Sequence, residues 1–430
     1  MFIDFPKTNM VIEGMDEVRI PKMVRIAQKY DPYHITDIAG HVAGQMNNNI
    51  GNKSWYDGKS IAITAGSRGI PHLDIILRTV CGILKSWGAT PFIIPAMGSH
   101  GGGTAEGQAE MLAGYNITGQ SIGVPVRSSM ETVRYGTIEG VPLYCDKYAF
   151  EADGIVILNK IKPHTDFRGE IESGLCKMIA IGIGKHKGAS AFHTLGFGKF
   201  AGLLPQVAQK FIDSAPVAFG VGIVQNAYDD ICNIDVVEPD GIIAKDKELL
   251  KIAKNKIASF KFKELDVLVI DEIGKNISGF GHDPNIVGRI NSGLSGFSDI
   301  LHLQKLFIRG LTEETHHNGC GIAAADVTTR SCLNQIDWDV LWTNMITSTQ
   351  LNGGRIPLYM NNDYDALRLA IRTCNDISYE KVKLARIKNT LCMFEIEISQ
   401  SLYEEIRGNS EVEYLDGPYE MKFDSENNLI

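Results

Sequence analysis

Short apolar runs rich in strand-forming residues alternate along this chain with helix-like stretches, and glycine-rich turns join many of them. Residues 60–64 (SIAIT) read as a buried strand, and an amphipathic helix follows near Leu73 to Trp87. The next strand, ATPFIIPAM, precedes a glycine loop and a helix over AEGQAEML. Such alternation is typical of parallel α/β architecture. We therefore predict an α/β fold with two domains, mainly parallel sheets and an active-site cleft between the domains.

The length of 430 residues fits two domains, each with its own core. Residues 1–203 are predicted to form an N-terminal cofactor-binding and catalytic α/β domain. A second series of strand, helix, strand and glycine loop begins near Pro205 and predicts another α/β domain over residues 204–350. Residues 351–430 are expected to form a C-terminal segment that packs back on the first domain.

Composition excludes several classes of protein. A formal net charge of −9 argues against nucleic acid or an anionic membrane surface as a partner, because both need a basic face. No run approaches the roughly 18 uninterrupted apolar residues of a membrane span, and the N-terminus does not read as a signal peptide. The eight cysteines show no CxxC pair or cluster, so reduced thiols and a cytoplasmic location are expected.

Three histidines border glycine-rich or small-residue turns: His100 in MGSHGGG, His164 in KPHTDFRG and His193 in GASAFHTLGF. Imidazole carries a proton or holds a metal near neutral pH without help from other groups. In open α/β sheets, ligands bind beyond the carboxyl ends of strands, where these loops are expected to meet. The sequence therefore predicts an enzyme. Thr104 is expected to cap the helix that follows His100.

Two cationic side chains accompany these histidines. Arg68 lies in the turn AGSRGIP, which lacks the nucleotide-binding patterns GxGxxG and GxxxxGK[ST] but suits a phosphate or carboxylate. Lys177 follows the charged loop after His164 and lies before the apolar run MIAIGIG. A partly shielded amine at that position is a candidate nucleophile or attachment point.

Together these motifs resemble the nickel-pincer lactate racemase family of 2-hydroxy-acid racemases and epimerases. The family's turn DxTRPxP is similar to AGSRGIP, which keeps Arg68 and Pro71 and has Ser67 in place of threonine. The family's GTHR loop is similar to GSHG at His100. Its signature of a histidine, a glycine-rich stretch and a lysine is similar to residues 164–177, and His193 lies sixteen residues beyond that lysine, as the family's nickel ligand does.

This resemblance implies a nickel-pincer nucleotide, which is pyridinium-3,5-bisthiocarboxylic acid mononucleotide carrying nickel. The nucleotide would be joined to Lys177 through a thioamide, and His193 would complete a square-planar nickel site, a geometry that suits Ni(II). Further cofactor contacts would come from Ser67, Arg68, Gly101 and Gly102.

The implied reaction inverts carbon 2 of a 2-hydroxy acid by hydride transfer to the cofactor, with His100 and His164 as alternating acid/bases. Arg68 would bind the substrate carboxylate, and Lys275 of the second domain would be a second contact. The expected partners are the small hydroxy acid and the proteins that synthesise the cofactor, while self-association into a homo-oligomer is left open.

Departures from the family pattern indicate a divergent subgroup. Ala65 stands where the family has an acidic residue, so a ribose hydroxyl contact is either missing or supplied by Asp74 or Glu106. The interval from His164 to Lys177 is three residues longer than in lactate racemases. Its added polar residues either accommodate a larger polyol or dicarboxylic acid or form a surface salt-bridge loop; they are Asp166, Arg168, Glu170 and Glu172.

Two other readings use the same residues. A zinc-dependent hydrolase or lyase would place His100, His164 and His193 on one ion. A noncatalytic metal- or nucleotide-binding protein would need no paired bases. Elsewhere, a soft-metal site at His316, His317 and Cys320 is a minor alternative, and His282 in GFGHDPN reads mainly as part of a turn.

Overall fold

The computed structural model describes residues 1–67 and 69–430. The strands are β1 (Met23–Gln28), β2 (Ser60–Ala65), β3 (Thr90–Pro95), β4 (Thr132–Ile138), β5 (Val141–Asp146), β6 (Gly154–Lys160), β7 (Val217–Gln225), β8 (Ile231–Val237), β9 (Glu264–Ile270), β10 (His302–Ile308), β11 (Val327–Thr329), β12 (Leu358–Met360), β13 (Leu384–Ile387), β14 (Glu395–Ser399) and β15 (Val412–Tyr419).

The helices alternate with these strands. They are α1 (Ile38–Asn49), α2 (Leu73–Ser86), α3 (Ala105–Gly114), α4 (Gly119–Ile122), α5 (Lys147–Phe150), α6 (Leu175–Lys177), α7 (Lys185–His193), α8 (Phe197–Ser214), α9 (Ile242–Lys256), α10 (Pro284–Val287), α11 (Arg330–Asn334), α12 (Trp338–Thr347), α13 (Asp363–Arg372) and α14 (Gln400–Ile406). A π-helical turn over Met178–Gly182 continues α6.

The chain divides into two compact units. Residues 31–257 form one, here called the continuous unit, and residues 1–30 with 258–430 form the other, the split unit. This division differs from the predicted boundaries at residues 203 and 350. Strand β7 pairs with β6, and β8 pairs with β7, so residues beyond 203 complete the first sheet. Strand β1 pairs with β14 and β15, which joins both ends of the chain to the second sheet.

The continuous unit is built on a five-stranded sheet of order β3-β2-β6-β7-β8. Its first four strands are parallel and β8 is antiparallel. Residues on both faces of β2 are buried, as expected for a parallel strand covered by helices on both sides. The carboxyl ends of β2, β3 and β6 lead into the loops of Ser67, His100 and His164, and this placement confirms the predicted α/β architecture.

The split unit contains an eight-stranded sheet of order β12-β11-β10-β9-β13-β14-β1-β15. The five neighbouring strands β12, β11, β10, β9 and β13 are parallel to one another. Each of the last three strands, β14, β1 and β15, pairs antiparallel with the strand before it in this order. Trp338 on α12 is fully buried, and its ring centre lies 5.6 Å from that of Trp342. Among the described residues, no helix is long and apolar enough to cross a membrane.

Candidate active site

The loop that carries His100 leaves β3 and turns through three glycines with positive φ. Gly101, Gly102 and Gly103 have φ values of 63°, 65° and 67°, a region that residues with side chains rarely adopt. A Cβ on Gly101 would lie 2.7 Å from the backbone of Gly107 on α3, whereas a Cβ on Gly102 would meet no atom within 4 Å. The loop thus lies against α3 on one side and is open at Gly102, the feature that close approach of a ligand requires. Thr104 caps α3 as predicted, accepting from the Gly107 amide at 3.1 Å.

Ser67 and His100, predicted from separate motifs, are brought together by the first two loops. The Ser67 hydroxyl is hydrogen bonded to His100 Nδ1. Ser67 is buried while His100 is exposed. The hydroxyl of Tyr115, at the end of α3, donates to the Ser67 carbonyl at 2.8 Å and holds the turn in place. Because a hydroxyl both donates and accepts, this contact is compatible with either neutral tautomer of His100.

His164 is buried beneath its own loop. Its ring stacks on Phe167, with the ring centres 4.3 Å apart. The backbone amide of Asp166 donates to His164 Nδ1 at 3.0 Å, and the Asp166 carboxylate lies 3.7 Å from the same nitrogen. Since an amide N–H only donates, this hydrogen bond places the proton of the neutral ring on Nε2.

Glu172 organises the loop between His164 and Lys177. Its carboxylate is fully buried and accepts from the amides of His164 at 2.7 Å and Gly169 at 3.1 Å. It also pairs with Lys254 of α9 at 2.6 Å. Sequence reasoning treated Glu172 as one of four added polar residues, but the structure turns it inward to bind the backbone. Glu170 is exposed and pairs with Lys247 at 2.7 Å, as in the salt-bridge alternative.

Lys177 ends α6, a single helical turn whose first amides are capped from another element. Asp246 of α9 is buried and accepts from the Cys176 amide at 2.8 Å. A Cβ on Gly174 would lie 1.9 Å from the Asp246 carboxylate, so glycine is required there by space rather than by φ. Burial raises the pKa of the Cys176 thiol well above its usual value, which keeps this neighbour of Lys177 protonated. The π-helical turn that follows is a geometry often found at functional sites.

His193 ends α7 and lies among aromatic rings. Its ring centre is 5.4 Å from that of Phe197 and 5.3 Å from that of Phe200. Burial, with a smaller contribution from the nearby Lys177 ammonium, lowers the pKa of His193 to about 4. His193 is therefore neutral at neutral pH, the form in which imidazole binds a metal.

Phe197 connects two of the predicted histidines. The His164 ring centre lies 5.7 Å from that of Phe197, and His193 contacts the same ring. Lys177 is close enough to His193 to lower its pKa. His164 and His193 thus share one phenylalanine that sequence reasoning had not singled out, and Lys177 lies within electrostatic range of His193.

The Ser67 and His100 loops pack against the turn that follows Lys177. The Gly98 amide donates to the Gly182 carbonyl at 3.1 Å. Gly66 also lies beside Met178, because a Cβ on Gly66 would be 3.4 Å from the Met178 methyl group. The structure therefore collects four of the predicted loops in one region at the carboxyl ends of β2, β3 and β6.

Several predicted contacts are not placed in this region. Arg68 lies outside the described residues. Lys275 belongs to the split unit, where its ammonium donates to the Gly279 carbonyl at 2.8 Å, so its substrate role stays a prediction. Asp74, one candidate for the ribose contact, pairs with Arg78 at 2.6 Å, and Glu106 lies in the first turn of α3.

The zinc alternative required three imidazoles on one ion. Within residues 1–67 and 69–430, no group of three histidine, cysteine, aspartate or glutamate side chains is arranged to hold a metal ion. The same holds for the minor alternative at His316, His317 and Cys320. A metal site built from protein side chains alone therefore has no support in the described part of the chain.

Comparison with known proteins gives a likeness in fold. No family model matches the chain, and no curated protein matches it. The structure is similar to that of the lactate racemase apoprotein from Thermoanaerobacterium thermosaccharolyticum, with a TM-score of 0.54 and 16% identity over 86% of this chain and 99% of that one. A protein of known structure from Thermotoga maritima has a TM-score of 0.49 and 13% identity over 83% of this chain and 96% of that one. At 16% identity the first likeness shows a shared α/β fold.

Proposed function

We propose that this chain is a racemase or epimerase that inverts carbon 2 of a 2-hydroxy acid with the help of a nickel-pincer nucleotide. The observation that carries the proposal is a neutral His193 near Lys177, together with the contact that His164 and His193 both make with Phe197. The fold, shared with a lactate racemase apoprotein, agrees with the motifs that suggested this family.

The residues fit the proposed cofactor. His193 offers an imidazole that is already deprotonated, and a primary amine lies within electrostatic range of it. The glycine loop at Gly102 leaves the open space that a bulky group needs. We assign Lys177 to covalent attachment, His193 to nickel, and Ser67, Gly101 and Gly102 to the nucleotide. When bound, the cofactor would supply a carbon that accepts hydride from the substrate.

His100 is our candidate for the base that takes the substrate hydroxyl proton. Its ring is exposed, and the Ser67 hydroxyl can accept a hydrogen bond from Nδ1–H. In that tautomer the lone pair on Nε2 is available to a proton. Ser67 thus orients the base and allows it to exchange tautomers during the reaction.

His164 has a more restricted role in the arrangement described. With the Asp166 amide on Nδ1, the neutral ring carries its proton on Nε2 and acts as a hydrogen-bond donor to a substrate oxygen. If the ring took up a second proton, its Nδ1–H would need a hydrogen-bond acceptor. The Asp166 carboxylate, whose oxygen lies 3.7 Å from Nδ1, is such a group. We propose that His164 serves as the second acid/base only when that carboxylate replaces the amide.

For the substrate, Arg68 is proposed to bind the carboxylate. Glu170 pairs with Lys247, and Glu172 binds its own loop and pairs with Arg168 and Lys254, which supports the salt-bridge alternative for these added residues. The proposed substrate is therefore a 2-hydroxy acid, with no preference for one larger than lactate.

Intact-mass measurement tests the attachment. The chain is produced together with proteins that synthesise the cofactor, and the wild type is expected to gain the mass of the nucleotide. Lys177→Ala should abolish the increment, whereas Lys187→Ala, ten residues further along and on α7, should keep it. Zinc without a covalent increment would favour the hydrolase or lyase alternative.

Loaded protein is then assayed for inversion of lactate, malate and sugar acids. Stereochemical exchange with at least one of these acids is expected. An increment on Lys177 without exchange at the carbinol carbon of any acid would contradict the racemase proposal and favour a noncatalytic carrier. An absent increment under loading conditions would contradict the cofactor assignment.

A further inference from the structure

A buried lysine lies behind the His100 loop, away from the residues assigned above. Lys185, the first residue of α7, has no exposed surface. Its ammonium pairs with the equally buried Asp146 at 3.0 Å and donates to Gln108 Oε1 at 3.3 Å and to the Pro95 carbonyl. These partners come from the ends of β5 and β3 and from α3. One cation thus connects four segments of the continuous unit.

The backbone at Lys185 is set to turn this side chain inward. Its φ is +56°, a conformation that side-chain-bearing residues seldom adopt without support from their surroundings. Burial lowers the pKa of Lys185 and raises that of Asp146, and each partner opposes the shift of the other. A buried pair of this kind is a weak source of stability but fixes the position of whatever it binds.

Gln108 transmits that position to the His100 loop. Its amide nitrogen donates to the carbonyls of Gly98 at 2.9 Å and His100 at 3.1 Å. A lysine ammonium only donates, so Gln108 must turn its oxygen toward Lys185 and its nitrogen toward the loop. Lys185 therefore selects the one amide orientation that can hold the backbone of His100.

The same lysine is the starting residue of the helix that ends at His193. Helix α7 also packs on the loop directly, since a Cβ on Gly98 would lie 3.4 Å from the Ala189 methyl group. We propose that Lys185, through Gln108 and with Asp146 as counter-ion, is a positioning residue that fixes the His100 loop against the helix of His193. The catalytic meaning of this role rests on the proposed function, whereas the positioning itself does not.

Gln108→Glu tests the link most directly. It keeps an oxygen toward Lys185 but replaces the group that donates to Gly98 and His100 with a second acceptor. In cofactor-free protein, the His100 ring signals in nitrogen–proton correlation spectra are expected to shift. In loaded enzyme, kcat should fall about 10- to 100-fold, while KM changes less than about twofold. Gln206→Glu makes the same chemical change on the exposed face of α8 and should alter neither.

A purely structural role would lower the melting temperature and leave the His100 signals and kcat unchanged, and that result would overturn the proposal. Should Gln108→Glu fail to fold, Gln108→Met, which has nearly the same shape, is judged by the same criteria. Lys185→Met combined with Asp146→Asn removes both charges together and should shift the same signals. Unchanged signals in that double variant would remove Lys185 from the proposal. Absence of racemisation by loaded wild type would refute the function but not the spectral result.

Discussion

The two units present different chemistry at the carboxyl ends of their parallel strands. In the continuous unit, β2, β3 and β6 lead to Ser67, His100 and His164, and buried charged groups such as Glu172 and Asp246 lie behind these loops. In the split unit, β9 and β10 lead directly to Asp271 and Arg309, which pair with each other at 2.7 Å. Both edges follow the rule that polar residues collect where parallel strands end.

The difference lies in what the charges bind. Arg309 also binds Asp363 at 2.7 Å, and Arg386 joins Asp271 to Glu397, so the split-unit charges satisfy one another. The continuous unit also contains ion pairs, such as Lys254 with Glu172, but there Glu172, Asp246 and Gln108 bind backbone groups of loops as well. A network of paired side chains stabilises the edge of a sheet. Side chains that bind the backbone of a loop from its buried side leave the other side of the loop accessible to a ligand.

Arg309→Met is expected to have the largest effect on stability. It leaves the Asp271 and Asp363 carboxylates without this cation, and Asp363 is almost fully buried. Breaking such a pair lowers the free energy of unfolding by about 3–5 kcal/mol, which urea denaturation measures. Arg309→Lys, which keeps the charge but not the planar fork, should lose about half as much. A loss below about 1 kcal/mol for Arg309→Met would show that the edge does not depend on this network.

Gly174→Ala tests whether Asp246 supports the start of α6 in the continuous unit. The added methyl group would collide with Asp246, so the free energy of unfolding should fall by about 1–3 kcal/mol and Lys177 should react differently with amine-acylating reagents. Combination with Asp246→Ser should recover part of the loss, and strict additivity would argue against the contact. The control is Gly202→Ala on α8, where a Cβ meets no atom within 4 Å and alanine should stabilise slightly.

The features that could be predicted from the sequence are those that depend on residues close together along the chain. The strand, turn and helix from Ser60 onward, the Thr104 cap and the positions of His100 and His164 after strands follow from local periodicity and capping. The unit boundary was not predictable in this way. Strand β7 continues the first sheet only because it pairs with β6, and β1 joins the second sheet through β14 and β15.

The buried supports were also beyond local reasoning. Lys185 stands in GIGKHKG, which reads as an exposed basic turn, and its partners Asp146 and Gln108 are 39 and 77 residues away in sequence. Asp246 lies in a helix rich in lysine, where an acid reads as part of a solvated face. Pairings at such separations depend on the tertiary fold, so the residues that support these loops were missed, while the loop residues themselves were named from their motifs.

His282, in the split unit, can be compared with His164, the buried histidine of the continuous unit. His282 is fully buried in the split unit, and among the described residues neither ring nitrogen has a hydrogen bond of standard geometry. Burial, and to a smaller extent Arg289, lowers its pKa to about 3, while the backbone of Asp283 opposes this shift. The folded pKa is below the unfolded value, so stability is full above about pH 6.5 and falls as pH drops toward 3. His282→Leu removes a ring that makes no hydrogen bond of standard geometry to a described residue, so it should be nearly neutral at pH 8 and stabilise by about 2 kcal/mol at pH 5.

Urea denaturation at the two pH values measures this difference. The exposed His34, replaced by glutamine, provides the control and should leave the pH dependence unchanged. An equal effect of His282→Leu at pH 5 and pH 8 would mean that the ring has a partner when folded.

The smallest expected effect distinguishes the two proposed acid/bases within the continuous unit. His164 Nδ1 faces an amide, which only donates, and His100 Nδ1 faces a hydroxyl, which donates or accepts. Ring nitrogen shifts in the cofactor-free protein at neutral pH should show one tautomer for His164, with its proton on Nε2, and a mixture for His100. Ser67→Ala, with removal of a hydrogen bond of about 1 kcal/mol, should change the His100 mixture and leave His164 as it is. A proton on Nδ1 of His164 would instead place the Asp166 carboxylate there in the resting protein and make both histidines equivalent bases.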